Sequence, residues 1–186
     1  MKIENSIRAF ICIDFPEEVV KEVARIQELL QKTKFTGKTT ELENLHLTLK
    51  FLGEVSEEKL KELKEKLSNI KFNKFESHLS EIGSFSHRKN PRIVWIKVSG
   101  KGIFELQSLI DYLLKESLEK EERFMSHLTI ARIRYVKDKI NFEKHIKTIK
   151  VKPLKFSVDS FKVKSSELKT LGPIYETIEE YQLSNS

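Results

Sequence analysis

Two short stretches carry the residue types of acid–base chemistry at matching spacing: His46-Leu47-Thr48-Leu49 and, in the second half of the chain, His127-Leu128-Thr129-Ile130. Each alternates polar and apolar, the period-two pattern of a strand with one buried face. His46 and Thr48 therefore share a face, as do His127 and Thr129, while the aliphatic residues take the other. An imidazole and a hydroxyl two residues apart on an exposed strand can grip one oxyanion. Two such pairs facing each other hold a phosphate with an imidazole on each side. With a pKa near 6.5, one imidazole can be neutral and take a proton from a nucleophile, while the other is protonated and gives one to the leaving oxygen. The threonine hydroxyls donate to the non-bridging oxygens, where charge accumulates in the transition state. This chemistry needs no metal or cofactor. Two opposed histidines could begin a zinc site, but no third ligand stands at a telling spacing. His78, His87 and His145 lack this context and are expected at the surface.

The elements that must position these pairs can be read in order. Residues 7–15 alternate as a strand, with Arg8, Phe10, Cys12 and Asp14 on one face and Ile7, Ala9, Ile11 and Ile13 on the other. Pro16 closes it, and Glu17 and Glu18 open a helix whose apolar residues, Val19 to Leu30, recur at helical spacing. The first motif strand spans 45–52 and is terminated by Gly53. Ser56 is the N-cap of the next helix, with Leu60, Leu63, Leu67 and Ile70 as its apolar stripe. Strands over 74–86 and 92–98 flank a basic turn, Ser86 to Pro91. A third helix carries Ile103 to Leu118, the second motif strand covers 126–135, and a weaker helix covers 142–149. Strands over 154–165 and 175–183 close the chain around the turn Leu171-Gly172-Pro173. Each motif strand is preceded and followed by a helix, an approximate internal duplication. Two similar α+β units bring the motif strands together across a pseudo-two-fold axis, with the pocket between them.

Several further side chains belong with the cleft on parity. Lys50 shares a face with His46 and Thr48 and is expected to contact substrate phosphate. Arg8 and Phe10 approach the cleft from the first strand, although aromatics in such domains, Trp95 and Tyr175 included, more often pack in the core.

The chain has 186 residues, 39% hydrophobic and 33% charged, enough for one compact domain or two small lobes sharing a core. A net charge of +6 favours polyanionic partners such as RNA. Lys and Glu abundance with little Cys or Met matches the bias of heat-adapted proteins. The single cysteine, Cys12, excludes an intramolecular disulfide or a cysteine-based zinc site and reads as a core thiol. Lys2, Glu4, Arg8 and Asp14 interrupt any signal-like apolar region, and no apolar run approaches the roughly 18 residues that span a bilayer. A cytoplasmic protein without a membrane segment is expected.

The sequence resembles the 2H phosphoesterases, and within them the RNA 2′,3′-cyclic phosphodiesterases, also called 2′-5′ RNA ligases. The resemblance runs over nearly the whole chain. It includes Arg8-Ala-Phe-Ile-Cys-Ile-Asp-Phe-Pro16, His46-Leu-Thr-Leu-Lys-Phe-Leu-Gly53, Gly83-Ser-Phe85 and Pro91-Arg-Ile-Val-Trp95. It continues in His127-Leu-Thr-Ile-Ala-Arg132, Ser166-Glu-Leu168 and Gly172-Pro-Ile-Tyr175-Glu. It implies a single bilobal α+β domain over residues 1–186, with two pseudo-symmetric antiparallel sheet/helix lobes around a central cleft. The implied reaction opens a 2′,3′-cyclic phosphate on RNA, tRNA fragments among the substrates, to a 2′-phosphomonoester. Its ATP-independent reverse forms 2′-5′ linkages. In family terms His46 is the proton donor to the departing 3′-oxygen, His127 the base that activates water, and Thr48 and Thr129 the phosphate-binding hydroxyls. Arg132 matches a family arginine, yet regular alternation from His127 points it away from the cleft; only a bulge or strand end turns it inward. Met125-Ser126 stands where the family often has Lys-Pro. A monomer is expected. The alternatives are a 2H-fold RNA or nucleotide-binding module without catalysis, and a phosphodiesterase acting on a small cyclic phosphate.

Overall fold

In the computed structural model, residues 6–170 and 172–185 are described. The described strands form one antiparallel sheet around which four helices pack. Strand β1 (Ser6–Asp14) leads into helix α1 (Glu17–Gln31), then strand β2 (Thr36–Thr39), a 3-10 turn (Leu42–Asn44) and strand β3 (His46–Ser56). Helix α2 (Glu57–Ser68), the hairpin β4 (Phe75–His87) and β5 (Asn90–Ser99), and helix α3 (Lys101–Leu114) follow. The second half closes with β6 (His127–Tyr135), α4 (Lys139–Thr148), β7 (Lys155–Val158), β8 (Ser160–Lys169) and β9 (Gly172–Gln182). The strand order is β7-β4-β5-β6-β3-β1-β8-β9, with β2 added to β6.

The two motif strands are neighbours at the centre of this order, yet they pair through one position, Leu47 with Leu128. That single pair is the seam between two lobes, which splay apart on either side of it. The apolar faces anticipated for the helices are the buried ones: Val19, Val23, Ile26 and Leu30 in α1, and Leu60, Leu63 and Leu67 in α2. Ser56 caps α2 by accepting from the Lys59 backbone N–H at 3.2 Å. Cys12 is fully buried in the core, and burial pushes its thiol up to about 12.

Three expectations about the elements are corrected, and one strand, β2, is added to those expected. Gly53 does not end the first motif strand: with φ +76° it sits at an irregularity inside β3, where a residue with a side chain is strained. The strand expected over 154–165 is two strands, β7 at one end of the sheet order and β8 next to the other end, divided at Asp159. The sheet therefore curls until its two ends approach each other, which hydropathy cannot show. The basic turn is tighter than expected, just Arg88 and Lys89 between paired His87 and Asn90. Strand β2 had no signal beyond its β-branched threonines; Gly37 lets it close on β6, since a Cβ there would lie 2.2 Å from the Arg132 carbonyl oxygen. Of the turn Leu171-Gly172-Pro173, Leu171 lies outside the described residues.

Candidate active site

The register at the seam places the four motif side chains. Leu47 and Leu128 are buried, so His46 and Thr48, which flank the first, and His127 and Thr129, which flank the second, emerge together on the opposite face. Antiparallel pairing about that position sets His46 beside Thr129 and Thr48 beside His127. Among the described residues neither threonine hydroxyl has a protein partner, so both are available to a ligand.

Each imidazole is held the same way. His46 Nδ1 lies 2.7 Å from the Asn44 carbonyl oxygen, and His127 Nδ1 lies 2.7 Å from that of Met125. A carbonyl can only accept, so Nδ1 carries the hydrogen in both rings and Nε2 is left to the cleft. Neighbouring side chains fix each carbonyl's setting. Ser126 Oγ donates to the Val98 carbonyl at 2.7 Å, and Asn44 Nδ2 donates to the Pro173 carbonyl at 3.1 Å.

The walls of the two halves differ. His46 packs between Phe10 and Tyr175, with ring centroids at 4.8 and 5.1 Å. Burial lowers its pKa to about 4, and the nearby charges of Lys164 and Arg132 act in the same direction against the Asn44 carbonyl and Asp14. Burial raises Asp14, but hydrogen bonds from Lys164 at 2.6 Å and from Lys162 outweigh it and leave the carboxyl below its usual range. Burial likewise raises the Tyr175 hydroxyl, opposed by Arg132 and Arg8. His127 meets Phe85 edge-on at 5.1 Å, and Phe85 in turn lies 5.4 Å from Trp95.

The remaining expected side chains divide. Arg8 is exposed on β1, and Phe10 is 3% exposed, a wall of the His46 pocket with no free face for a base. The expectation for Lys50 is corrected. The pairing of β1 with β3 shifts between Ile11 and Cys12, whose partners are Lys50 and Thr48, so strand parity reverses after Leu49. Lys50 is turned into the core, where it pairs with Asp111 and donates to the Glu119 carbonyl at 2.7 Å; Phe51, 66% exposed, takes the outward direction instead.

The second motif strand carries the matching irregularity. Between Val94 and Trp95 of β5 the partner jumps from Ala131 to Thr129, so Ile130 and Ala131 are both buried and Arg132 turns out on the side of His127 and Thr129. The bulge that Arg132 required is therefore present. Gln27 of α1 secures it: its Nε2 donates to the Ile130 carbonyl at 2.9 Å and to the Thr40 carbonyl at 2.8 Å. Phe51 and Arg132 both stand five residues after a motif histidine, so the outward residue of each half was countable from the sequence once a bulge was granted. Nothing in the local pattern of apolar residues marks where the bulge falls.

Among the described residues no group of three His, Cys, Asp or Glu side chains is arranged to hold a metal ion, and no helix is long and apolar enough to cross a membrane.

With this geometry in view, comparison with known proteins is informative. The model of the LigT-like phosphoesterases matches residues 13–95 and 97–175, one span for each motif. A Thermotoga maritima protein named RNA 2′,3′-cyclic phosphodiesterase is 38% identical over 182 residues, covering 95% of each chain. A Methanocaldococcus jannaschii protein of the same name is 36% identical, covering 94% of this chain and all of its own. Among solved structures, a Thermus thermophilus protein superposes with a TM-score of 0.78 at 26% identity, over 96% of this chain and 99% of its own. Escherichia coli LigT in its apo form shares the fold, with a TM-score of 0.77 at 23% identity over 97% and 99%. Two repeated motifs on a curled antiparallel sheet, a matching family model and relatives aligned from end to end lead to one statement: the chain belongs to the LigT-like family of 2H phosphoesterases.

Proposed function

We propose that this protein is a phosphodiesterase that opens RNA 2′,3′-cyclic phosphate ends to 2′-phosphomonoesters. The observation that carries the reading is the paired arrangement at the seam: two imidazoles, each with Nδ1 tied to a carbonyl and Nε2 free, alternating with two unpartnered hydroxyls. The name shared by its relatives points the same way. The phosphate lies between the pairs, with Thr48 and Thr129 donating to its non-bridging oxygens and Arg132 offsetting its charge. His127 Nε2 takes a proton from water as the water oxygen bonds to phosphorus. The P–O3′ bond breaks, and His46 gives its Nε2 proton to the departing oxygen. One proton is taken and one given, and solvent exchange restores both rings. A 5′-hydroxyl in place of water yields a 2′-5′ linkage by the same transfers.

The environment of His46 adds a condition to this assignment. With a pKa of about 4 in the unliganded protein, the ring is neutral near pH 7, and a donor must be charged. The phosphate anion supplies the opposite charge that restores the proton, so the acid is armed by its substrate. The protein acts as a cytoplasmic monomer on RNA ends, those of tRNA fragments included.

The test is to incubate the purified protein with an oligonucleotide bearing a 2′,3′-cyclic phosphate, with and without EDTA, and to identify the phosphate isomer. A 2′-phosphomonoester formed at equal rates is expected. A 3′-phosphomonoester, or activity abolished by EDTA and restored by a divalent ion, contradicts the mechanism.

A further inference from the structure

The arginines of this chain fall into two groups. Arg25 is held by two hydrogen bonds from its guanidinium to Glu22. Among the described residues no other arginine makes an ion pair, whereas many lysines do. Arg8 on β1 and Arg123 in the loop before β6 stand apart, but the other four lie together. Beyond the bulge in β6, Arg132 and Arg134 alternate with buried Ile133 and share one exposed face. On the adjacent strand Arg92 is exposed and donates from Nη1 to the Arg134 carbonyl at 3.0 Å. Strand β5 starts from the turn Arg88-Lys89, whose residues are both exposed.

That turn supplies a second, independent observation. Arg88 and Lys89 have φ of +48° and +62°, the left-handed form that two-residue hairpin turns fill most easily with Asn-Gly. Two basic side chains therefore occupy positions where they carry a conformational cost, and local folding preference does not account for them. The other flank of the His46 pocket has the opposite character. A groove of about 640 Å³ between residues 41–44 and the tip of the β8–β9 hairpin carries Glu41 and Glu43, and its one lysine, Lys169, is already paired with Glu167, which makes it a less favourable path for phosphates.

We infer that an RNA strand whose terminal phosphate sits between His46 and His127 leaves the cleft past Arg132 and runs over the β5–β6 end, with its upstream phosphates on Arg134, Arg92 and the Arg88-Lys89 turn. The inference rests on the phosphodiesterase reading and adds a direction to it. If His46 protonates the 3′-oxygen, the ribose lies on the His46 side, and the chain attached to its 5′-carbon continues there. Arg132 is the cation of β6 whose charge His46 feels, so the track begins beside the leaving group. Unpaired arginines offer forked donors to successive phosphates without first breaking an ion pair.

The experiment measures binding by fluorescence anisotropy over a range of salt concentrations, which needs no turnover. The probes are a labelled RNA of about ten nucleotides ending in a 2′-phosphate, within the length such grooves hold, and a 2′-mononucleotide as competitor. The variants are Arg92→Gln with Arg134→Gln, and Arg88→Gln with Lys89→Gln; Lys61→Gln on exposed α2 is the control. Each pair should weaken the oligonucleotide roughly tenfold at low salt and reduce the salt slope by about 0.7 for each phosphate no longer neutralised. Mononucleotide binding and turnover of a cyclic mononucleotide should not change. Oligonucleotide affinity that ignores both pairs, or falls no more than in the control, overturns the track. So does an equal loss for oligonucleotide and mononucleotide. Length-dependent loss in a protein that fails to open any cyclic phosphate supports the track and defeats only the phosphodiesterase reading.

Discussion

The two histidines are alike in their tethers and different in their surroundings, and the difference has measurable consequences. Replacing either with alanine should lower turnover by about 10²- to 10⁴-fold, the usual worth of one general acid or base. The double variant should fall far short of the product of the two losses, because both groups serve one transition state. Full activity in either single variant would remove that histidine from the chemistry. The low pKa of His46 makes a sharper claim. In the free enzyme its protonated form is scarce above about pH 4, because burial between Phe10 and Tyr175 disfavours the charge. Bound phosphate favours that charge, so the limb on which the donor loses its proton should lie at higher pH in kcat than in kcat/KM. The former reports the complex and the latter the free enzyme, and both limbs belong to the coupled pair. Profiles measured on a cyclic mononucleotide with coincident limbs would mean that substrate does not arm His46.

Among the elements, β3 and β6 owe their usefulness to a defect. The irregularity after Leu49 and its counterpart at Ile130 each reverse the parity of the strand, putting Lys50 and Ala131 inside and Phe51 and Arg132 outside. Buried Lys50 then becomes a strut between the halves. It pairs with Asp111 of α3 and bonds the Glu119 carbonyl, while Asp111 also accepts from Gln107 at 2.7 Å and from the Glu121 backbone N–H at 3.3 Å. The first motif strand thus anchors the loop that delivers His127. Lys50→Met leaves the Asp111 carboxylate buried without its cation and should cost about 3–5 kcal/mol. Lys50→Met combined with Asp111→Leu should recover much of that stability, since the unpaired charge is removed. Chemical denaturation of the three variants decides it, and a double variant no more stable than Lys50→Met would refute the account.

At the scale of the whole molecule, the lobes meet through one strand pair but do not stand alone. Helix α1, which follows the first strand, bonds through Gln27 to β6 of the other lobe, and α2 packs against α3. The chain also passes at Asp159 from β7, at one end of the sheet order, to β8, next to the other end. A protein tied in this way should unfold as one unit. Fluorescence of Trp95, the single tryptophan and a residue of the second lobe, should follow the same denaturation curve as far-ultraviolet circular dichroism, which reports all of the helices. Separate transitions would show two domains. The sequence by itself determined the repeat, the shared face of each His–Thr pair and the helices, because those follow from periods of two and 3.6 residues. It also told that Arg132 needed a bulge. What only the tertiary structure decided was where parity breaks, and hence that Lys50 is a core ion pair and Arg132 a cleft residue. A bulge is set by pairing with a strand distant in sequence, and the Gln27 side chain that secures one lies on another element altogether. The neutral state of His46 was likewise decided there, since it depends on the rings that close around it.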